Sequence, residues 1–540
     1  MPNMTDYDQE RENFAWEVPA KFNFARDVID DWATQDPTNL ALWWIDDHGT
    51  EVKHTFADLS ERSRRLCNVL ADAGVGRGDT VICMLGRDIE WWEILTACLR
   101  MGAVCSPGTT QLSSKDIGYR IDAASAVCFI TDAANAAKLE QAENAANLKG
   151  RIIIGTEREG WISYDAAIAA ASNEFETVDT NGDDDALCYF TSGTTGYPKM
   201  AIQPHSYGLA HQITGRYWLD LTPEDLHWNI SDTGWAKAAW SSFFGPWNCG
   251  ATLFVHHTGV FDPNKSLELL GQYPVTTLCG APTIYRMFVQ QDLSQYKYPT
   301  LRHCVGAGEP LNPEVIETWR KATGMTIRDG YGQTESVLLC GSFPCIEPRF
   351  GSMGKPSPGI NLAIIDDDGK ELGPDQEGDI AVKIKPHWPP GLFKEYRGDP
   401  ERTSTCFNGD WYLTGDRAKT DADGYFWFIS RADDVILSAG YRIGPFEVES
   451  ALIEHAAVVE SAVVSSPDDT RGAVVKAFIV LAPGQEPSDE LAQEIQDHVK
   501  NVTAPYKYPR KIEFVDALPK TVSGKIRRVE LRAREYGETG

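Results

Sequence analysis

The stretch from Thr191 to Lys199 combines residue types that suit a phosphate group. It reads T-S-G-T-T-G-Y-P-K and follows the apolar run 186–190. Hydroxyl side chains, glycines with open backbone N–H groups and a nearby lysine together form a common anion cradle. The spacing departs from G-x-x-x-x-G-K-[ST], because Tyr197 and Pro198 separate the second glycine from the lysine. The stretch predicts a phosphate-binding loop of another kind, with a plain Ser/Thr/Gly surface turn as the alternative.

Four further stretches carry groups that fit the rest of a nucleotide. Residues 329–335 set an aromatic ring between glycines and end in a carboxylate that suits magnesium. Residues 411–416 end in a carboxylate after a glycine, which suits two ribose hydroxyls. Residues 431–442 are charged, and residues 518–528 form a basic loop in an acidic protein. Taken singly, each is equally compatible with a tight turn, a helix cap, a linker or a solvated tail.

Alternating helices and apolar strands are predicted to position these loops. Residues 56–73 are predicted to be a helix that is capped by Thr55 and closed by Gly74, because apolar residues recur at helical spacing. Apolar strands are predicted at 81–85 and 127–130. Strands that are apolar throughout and alternate with helices predict an α/β fold, whose large N-terminal domain holds two parallel-type sheets.

The second half of the chain predicts two smaller units. Prolines and glycines crowd in after about residue 345 and separate short β-like pieces between 362 and 384, which indicates a β-rich subdomain. Helix-like and strand-like pieces alternate between 446 and 499, which indicates a small α+β domain. The predicted division is an N-terminal domain, 1–430, and a mobile C-terminal domain, 431–540.

Composition and charge exclude several classes of partner. The 540 residues carry a net charge of −28 and are 42% apolar, which is ordinary for a globular protein. An acidic surface repels nucleic acid, so no such partner is predicted. The twelve scattered cysteines predict reduced thiols. No signal peptide and no membrane span of roughly 20 apolar residues is recognised, so the predicted location is the cytoplasm.

In their order and distances, the five stretches resemble the motifs of the adenylate-forming superfamily, which contains acyl-CoA synthetases, luciferases and peptide-synthetase adenylation domains. The resemblance extends from about residue 30 to 530. Residues 440–449 and 503–510 are typical of the medium-chain acyl-CoA synthetases. This resemblance implies a ligase of fatty acid metabolism that uses ATP, Mg²⁺ and coenzyme A. A carboxylate would attack the α-phosphate of ATP, and the coenzyme A thiol would then attack the acyl-adenylate and release AMP.

The resemblance also assigns roles at the ATP site. Thr334 would touch the α-phosphate, Glu335 would hold the metal ion, and Lys525 would bridge the carboxylate and the α-phosphate as charge develops. These three are the predicted catalytic residues. The predicted ATP-binding set is Thr191, Ser192, Gly193, Thr194, Thr195, Gly196, Lys199, Gly308, Glu309, Asp329, Gly330, Tyr331, Gly332, Gln333, Thr334, Asp416, Arg431 and Lys525.

Coenzyme A requires a second arrangement of the two domains, as the resemblance implies. The small domain would swing about a hinge at Asp433, withdraw Lys525 and bring in a channel for the pantetheine arm. The predicted CoA-binding residues are Ala439, Gly440, Tyr441, Arg471, Tyr508, Arg510 and Gln111. For each, a solvated surface side chain is the alternative.

The predicted acyl pocket consists of Trp235, Lys237, Trp240, Gly332 and Arg442. Acetyl-CoA synthetases carry tryptophan where this chain has Gly332, so glycine predicts room for more than two carbons. Lys237 and Trp240 share a face if they are helical, and they limit chain length if both point into the pocket. The prediction is a short- to medium-chain, possibly branched acid, with a short-chain or aromatic (benzoate-type) acid as the alternative and a core position for Trp240 left open.

Functions of other classes make different predictions. A P-loop NTPase would release ADP, whereas adenylation releases AMP and pyrophosphate only when an acid is present. A scaffold without catalysis is disfavoured because Glu335, Asp416, Arg431 and Lys525 are all present. No serine motif for pantetheine attachment supports a peptide-synthetase module, and a luciferin pocket is neither indicated nor excluded. The sequence does not indicate an oligomeric state.

Overall fold

Two large sheets, mostly parallel, are built from the apolar runs of the sequence within the residues that the structure describes. The computed structural model describes residues 1–191, 198–438, 441–468, 471–520 and 526–537, with the backbone alone at Arg442. The first sheet is parallel in its middle and on one side, and antiparallel strands close its other edge. Its strands are, in spatial order, Glu395–Arg397, Lys199–Pro204, Asp185–Thr191, Val104–Pro107, Thr80–Met84, Ala126–Asp132, Gly150–Ile154 and Ile162–Ser163.

The second sheet has a parallel centre and antiparallel strands at both edges. Its carboxyl edge supplies several predicted site residues, because parallel strands all end on the same side. Its strands are, in spatial order, Lys355–Pro356, Cys340–Gly341, Ile327–Tyr331, His303–Ala307, Thr277–Gly280, Leu226–Ile230, Thr252–His257, Leu40–Asp46 and Glu51–Thr55.

Helices connect the parallel strands, as crossover connections require. The predicted helix at 56–73 is present as Phe56–Asp72, and its start is a capping box in which Thr55 accepts from the backbone N–H of Asp58 while the Asp58 carboxylate accepts from that of Thr55. The longer helices are Tyr7–Asn13, Phe56–Asp72, Ile89–Met101, Ser114–Ala123, Ala133–Glu140, Tyr164–Ala170, Pro263–Gln272, Pro282–Val289, Pro313–Thr323, Pro445–Ile453, Asp489–Val502 and Arg528–Tyr536. Shorter helices are Ala25–Asp30, Asp31–Gln35, Ala145–Asn147, His205–Ala210, Thr214–Trp218, Ala236–Ala239, Trp240–Phe244, Gly245–Asn248, Leu293–Gln295 and Pro400–Thr405.

Smaller sheets follow where the sequence predicts a β-rich subdomain and an α+β unit. The β-rich sheet contains Leu362–Ile365, Gly378–Lys383, Trp411–Thr420, Phe407–Asn408 and Phe426–Arg431. A short hairpin, Ile436–Ser438 with Tyr441–Ile443, precedes a sheet of Val458–Asp468, Gly472–Leu481 and Lys511–Phe514. The predicted α/β class, with its β-rich and C-terminal α+β parts, is confirmed. The boundary at residue 431 and the mobility of the small domain remain predictions.

None of the helices within the described part of the chain is both long and apolar enough to cross a membrane. The twelve cysteines are free thiols, and most are buried.

Candidate nucleotide and acyl site

The two ends of the predicted phosphate loop lie side by side. Thr191 ends the strand that enters the loop, and Lys199 begins the antiparallel strand that leaves it, so the two residues pair directly across the sheet. The buried Thr191 hydroxyl has no hydrogen-bond partner among the described residues. A buried hydroxyl needs a partner, and a phosphate oxygen can supply one. Burial lowers the pKa of Lys199, and the charge of Arg402 adds to this shift.

Some residues of this loop and of the catalytic set lie outside the described residues. They are Ser192, Gly193, Thr194, Thr195, Gly196 and Lys525.

Glu335 is buried and contacts a tyrosine on the strand that pairs with Lys199–Pro204. The Tyr396 hydroxyl donates to Glu335 Oε1 at 2.6 Å. The Lys199 ammonium lies 5.0 Å from the centre of the Tyr396 ring. Burial and the Glu335 charge raise the pKa of Tyr396, so the phenol stays a donor. Next to the glutamate, the Thr334 carbonyl accepts from Gln203 Nε2 at 2.6 Å. The structure thus brings both groups to one tyrosine, with the predicted metal carboxylate at its hydroxyl and the predicted phosphate lysine over its ring.

A second corner is built around the Asp416 carboxylate. Asp416 Oδ2 accepts from the Tyr331 hydroxyl at 2.6 Å and from Gln333 Nε2 at 2.9 Å. Arg431 pairs with Asp416 across adjacent antiparallel strands. Gln333 is held in turn by the Tyr412 hydroxyl at 3.1 Å. Two sequence-distant motifs therefore meet here as one hydrogen-bonded unit.

Charges shift the protonation equilibria at this corner. Burial opposes the charge of Arg431, but the carboxylates of Asp416 and Asp433 raise its pKa overall. Burial raises the pKa of Tyr331 well above its usual value, and the Asp416 carboxylate raises it further. Both groups therefore keep their protons. The Tyr331 hydroxyl donates to Asp416, and the Arg431 guanidinium can donate to a sugar or phosphate oxygen.

The predicted adenine end lies where two parallel strands finish next to each other. Ala307 pairs with Gly330, which places Gly308 and Glu309 beside the end of strand Ile327–Tyr331. Gly308 has a φ of +108°, a conformation that favours glycine. A Cβ on Gly330 would lie 2.5 Å from the Trp218 ring, so this position also requires glycine. Glu309 is paired with Arg286 at 3.0 Å and is not free to move toward a ligand without breaking that contact.

Asp329 is buried one residue before Gly330 and is the most perturbed carboxyl of the motif. Burial raises its pKa to about 8, while the N–H groups of Gly330 and Leu311 and the charge of Lys237 act in the opposite direction. Lys237 therefore lies close enough to the 329–335 motif to influence it. Its ammonium nitrogen is buried.

Trp240 stands directly on Gly332 in the predicted acyl pocket. A Cβ on Gly332 would lie 2.3 Å from a ring carbon of Trp240. The Trp240 indole N–H donates to the Tyr207 hydroxyl at 2.6 Å, and both side chains are buried. The space that the sequence assigns to acyl carbons above Gly332 is therefore filled by the Trp240 ring. Lys237 lies in helix Ala236–Ala239, and Trp240 begins the next helix, Trp240–Phe244.

The other predicted pocket residues are less well defined. The Trp235 indole nitrogen is buried without a hydrogen-bond partner in the described part of the chain. The side chain of Arg442 lies outside the description.

The predicted hinge residue is held by ion pairs. Arg431 Nε lies 3.3 Å from Asp433 Oδ1. Arg532, on the last helix, donates to the Asp433 carbonyl at 2.9 Å and pairs with Asp434 at 3.0 Å. These contacts tie the segment between the β-rich sheet and the small domain to the helix that follows the Lys525 segment.

The predicted CoA residues that the structure describes are exposed or half-buried and lie mainly on the small domain. Tyr441 stacks on Tyr506 with ring centres 4.3 Å apart. Arg510 donates to the Tyr508 hydroxyl at 2.8 Å. Arg471 and Gln111 are exposed, and no hydrogen bond or ring contact between described residues joins Gln111 to the small-domain group. Ala439 and Gly440 lie outside the described residues.

Two side chains of the site lie outside the motifs. They are Tyr396 and Tyr207, which hold Glu335 and Trp240. Each lies in a short or buried element with no local pattern around it. Only the folded arrangement brings each hydroxyl to its partner.

Comparison with known proteins gives the family. The model of the AMP-binding enzyme family matches residues 29–396, and the model of the AMP-binding enzyme C-terminal domain matches residues 447–525. The chain belongs to the AMP-binding enzyme family. The resemblance that the motifs carry is therefore confirmed.

This AMP-binding enzyme has close relatives over nearly its whole length. It is 51% identical to mouse (Mus musculus) acyl-coenzyme A synthetase ACSM3, mitochondrial, across 99% of this chain and 94% of the relative. It is 50% identical to human (Homo sapiens) acyl-coenzyme A synthetase ACSM4, mitochondrial, across 96% and 91%. Among solved structures, it is similar to an anthranilate CoA ligase, AuaEII, in complex with anthranoyl-AMP. That similarity has a TM-score of 0.88 and 30% identity, and it covers 96% of this chain and 98% of the ligase.

The predicted cytoplasmic location is wrong by the same comparison, because these synthetases are named as mitochondrial. The sequence features used for that prediction do not separate the two compartments. Transit peptides are amphipathic and basic, so the lack of an apolar leader does not bear on them.

Proposed function

We propose that this AMP-forming acyl-CoA synthetase activates a short- to medium-chain carboxylic acid, straight or branched, and transfers it to coenzyme A. The class of enzyme follows from its relatives, which are acyl-coenzyme A synthetases at about half identity over almost the whole chain. The acid and the residue roles are the proposal. The observation that carries it is the Tyr331–Asp416–Gln333 unit with Arg431 opposite, next to the buried Glu335.

The nucleotide is proposed to lie along the carboxyl edge of the second sheet. Asp416 and Arg431 suit the ribose hydroxyls, since a carboxylate accepts and a guanidinium donates. Gly308 has no described atom within 4 Å of the position that a Cβ would take, which leaves the backbone open where the base would lie. Thr191 and Lys199, at the two ends of the phosphate loop, suit the β- and γ-phosphates. Thr334 lies between these regions and suits the α-phosphate.

The donor set fits a magnesium ion on ATP. Glu335 Oε1 is bonded to Tyr396, and Oε2 has no hydrogen-bond partner among the described residues. A single carboxylate oxygen is a usual protein ligand for Mg²⁺, which otherwise keeps water and phosphate oxygens. No cluster of three or more His, Cys, Asp or Glu that could form an all-protein metal site occurs in the described part of the chain. When bound, the ion neutralises phosphate charge that would repel the attacking carboxylate.

The acid is proposed to enter toward Trp240 and Lys237. The Trp240 ring over Gly332 sets a wall that is apolar and fixed by the Tyr207 hydroxyl. A fixed wall near the reacting carbon limits straight chains but tolerates a short branch. Aromatic acids are the second candidate, since the similar ligase binds anthranoyl-AMP and a flat ring can lie against an indole.

Lys525 and the CoA residues are proposed to act in turn. Lys525 is proposed to stabilise charge at the α-phosphate during adenylation, in the arrangement where the C-terminal domain, 431–540, covers the N-terminal domain, 1–430. Rotation about Asp433 would then exchange Lys525 for the Tyr441 face. Arg471, Tyr508, Arg510 and Gln111 would bind the nucleotide end of coenzyme A by charge and by stacking.

Pyrophosphate and AMP release across a panel of acids tests the proposal. Acetate, butyrate, 2-methylbutyrate, hexanoate, octanoate and benzoate are each incubated with ATP and Mg²⁺, with and without coenzyme A. We expect AMP with butyrate, 2-methylbutyrate or hexanoate, and thioester only when coenzyme A is present. A preference for benzoate would favour the aromatic alternative. ADP in place of AMP, or no acid dependence, would contradict the reaction itself.

A further inference from the structure

Tyr396 is a side chain that no motif marks and that contacts both charged groups of the phosphate end. We propose that Tyr396 is a positioning residue that keeps the Glu335 carboxylate available to the magnesium ion of MgATP. This inference rests on the proposed function, because it needs Glu335 to be the metal ligand.

The backbone of Tyr396 is held by a strand pair and a hydrogen bond, and its side chain is buried. Its strand, Glu395–Arg397, pairs with Lys199–Pro204, with Tyr396 opposite Ala201. Its backbone N–H donates to the Thr403 hydroxyl at 3.0 Å, and its side chain is 6% exposed. These contacts place the residue at the edge of the first sheet, where its hydroxyl reaches Glu335 Oε1.

The same segment also holds the Glu335 backbone. The Phe393 N–H donates to the Glu335 carbonyl at 2.7 Å. Ser336 forms a β-bridge with Leu392. Residues 392–396 thus bind Glu335 at its main chain and at one carboxylate oxygen. The first contact fixes the position of the residue, and the second restricts the rotation of its carboxylate.

The bond to Oε1 decides what Glu335 can do with its second oxygen. A carboxylate with one oxygen occupied by a buried phenol presents the other in a defined direction, which suits an octahedral ion that accepts one protein oxygen. A carboxylate that rotates freely loses this direction. Hydrogen bonds to a metal ligand typically change metal affinity by about 10- to 100-fold.

The same tyrosine also contacts two opposite charges. Lys199 lies over one face of Tyr396, while the hydroxyl of the same ring holds Glu335. Without this hydroxyl, Glu335 is free to turn toward the lysine and form a direct ion pair. That pair would compete with the metal ion for the carboxylate.

The test compares Tyr396→Phe with a matched control, Tyr425→Phe. Tyr425 is also buried and also donates one hydrogen bond, to the Glu347 carbonyl at 2.8 Å, away from the Glu335 carboxylate. Calorimetry measures ATP binding to each protein with Mg²⁺ varied and with EDTA. We expect Tyr396→Phe to bind metal-free ATP as the native protein does, and to need about tenfold more Mg²⁺ for half-maximal tightening. In turnover, saturating Mg²⁺ should restore most of kcat, while the control matches the native protein throughout.

A double-mutant cycle separates a route through Glu335 from general damage. In a Glu335→Gln background, adding Tyr396→Phe should leave the Mg²⁺ dependence unchanged, because the ligand it orients is already lost. The inference is overturned if Tyr396→Phe shows the native Mg²⁺ dependence, or if it loses ATP binding equally with and without Mg²⁺. If native protein shows no Mg²⁺-dependent ATP binding, the proposed function fails before the inference is reached.

Discussion

Asp329 is a buried acid that makes folding depend on pH. Burial raises its pKa to about 8, whereas an unfolded aspartate titrates near ~3.9. The folded chain therefore holds a proton that the unfolded chain releases between about pH 4 and 8. Its contribution to stability is full below that window and falls as the pH rises through it.

Replacing the acid by its neutral isostere should remove this pH dependence. We expect Asp329→Asn to lose less of its melting temperature between pH 6 and pH 8 than the native protein does. Thermal melts at pH 5, 6 and 8 measure this, with Asp375→Asn, at an exposed position, as the control. Parallel curves for Asp329→Asn and native protein would show that the carboxyl stays ionised when folded.

Trp240 is proposed to set the depth of the acyl pocket. Because its ring fills the space above Gly332, we expect Trp240→Ala to admit longer straight acids. One methylene in an apolar pocket is worth roughly 10- to 200-fold in kcat/KM, so the octanoate-to-butyrate ratio should rise by at least about tenfold. The ratio is measured by AMP release. An unchanged ratio would place Trp240 in the core rather than in the pocket, and truncation of the exposed Trp388 serves as the control.

At the element scale, the helix Arg528–Tyr536 follows Lys525 in the chain and contacts the predicted hinge segment. Arg532 binds the Asp433 carbonyl and the Asp434 carboxylate, so it favours the described orientation of the hinge. A charge-assisted hydrogen bond with a partly exposed ion pair is worth about 1–2 kcal/mol. We expect Arg532→Ala to change the ratio of adenylation to thioester formation by roughly 5- to 30-fold while leaving ATP affinity intact.

The half-reactions are measured separately, as pyrophosphate release without coenzyme A and as thioester formation from supplied acyl-adenylate. Arg534→Ala is the control, because Arg534 lies on the same helix and pairs with Glu513 of the small domain. Equal loss in both half-reactions would argue that Arg532 stabilises the domain and does not act on the hinge.

Elements with a strong local pattern were predictable, and those placed by distant pairing were not. The helix after Thr55 was predicted to within a residue of its end, because its cap and its apolar spacing are local. The strand Glu395–Arg397 has three residues and owes its place to pairing with Lys199–Pro204. Tyr396 was missed for that reason. Trp240 was left open because its role depends on Gly332, 92 positions later in the chain.

At the scale of the whole molecule, a strongly acidic chain has a local group of cations at the phosphate end. The chain has a net charge of −28. At the phosphate end, however, burial lowers the pKa of Lys199, and the charges of Arg402 and Arg431 lie close enough to lower it further. Cations that lie close together in a chain of net negative charge favour the binding of a polyanion at that place. The motifs predicted Lys199 and Arg431. They did not predict Arg402, whose position follows from the helix Pro400–Thr405.

The two domains are proposed to take up one arrangement for adenylation and another for thioester formation. If Lys525 acts only in adenylation, Lys525→Ala should reduce pyrophosphate release by about 10²-fold or more, the scale for loss of a group that stabilises developing charge. Thioester formation from supplied acyl-adenylate should stay within a fewfold of native, since that step uses the other arrangement of the domains. Lys520→Ala, at a lysine of the same basic stretch that pairs with Glu460, controls for the loss of one charge. Should both half-reactions fall together in Lys525→Ala alone, one fixed arrangement of the domains would serve both steps, and the proposed hinge at Asp433 would have no role in catalysis.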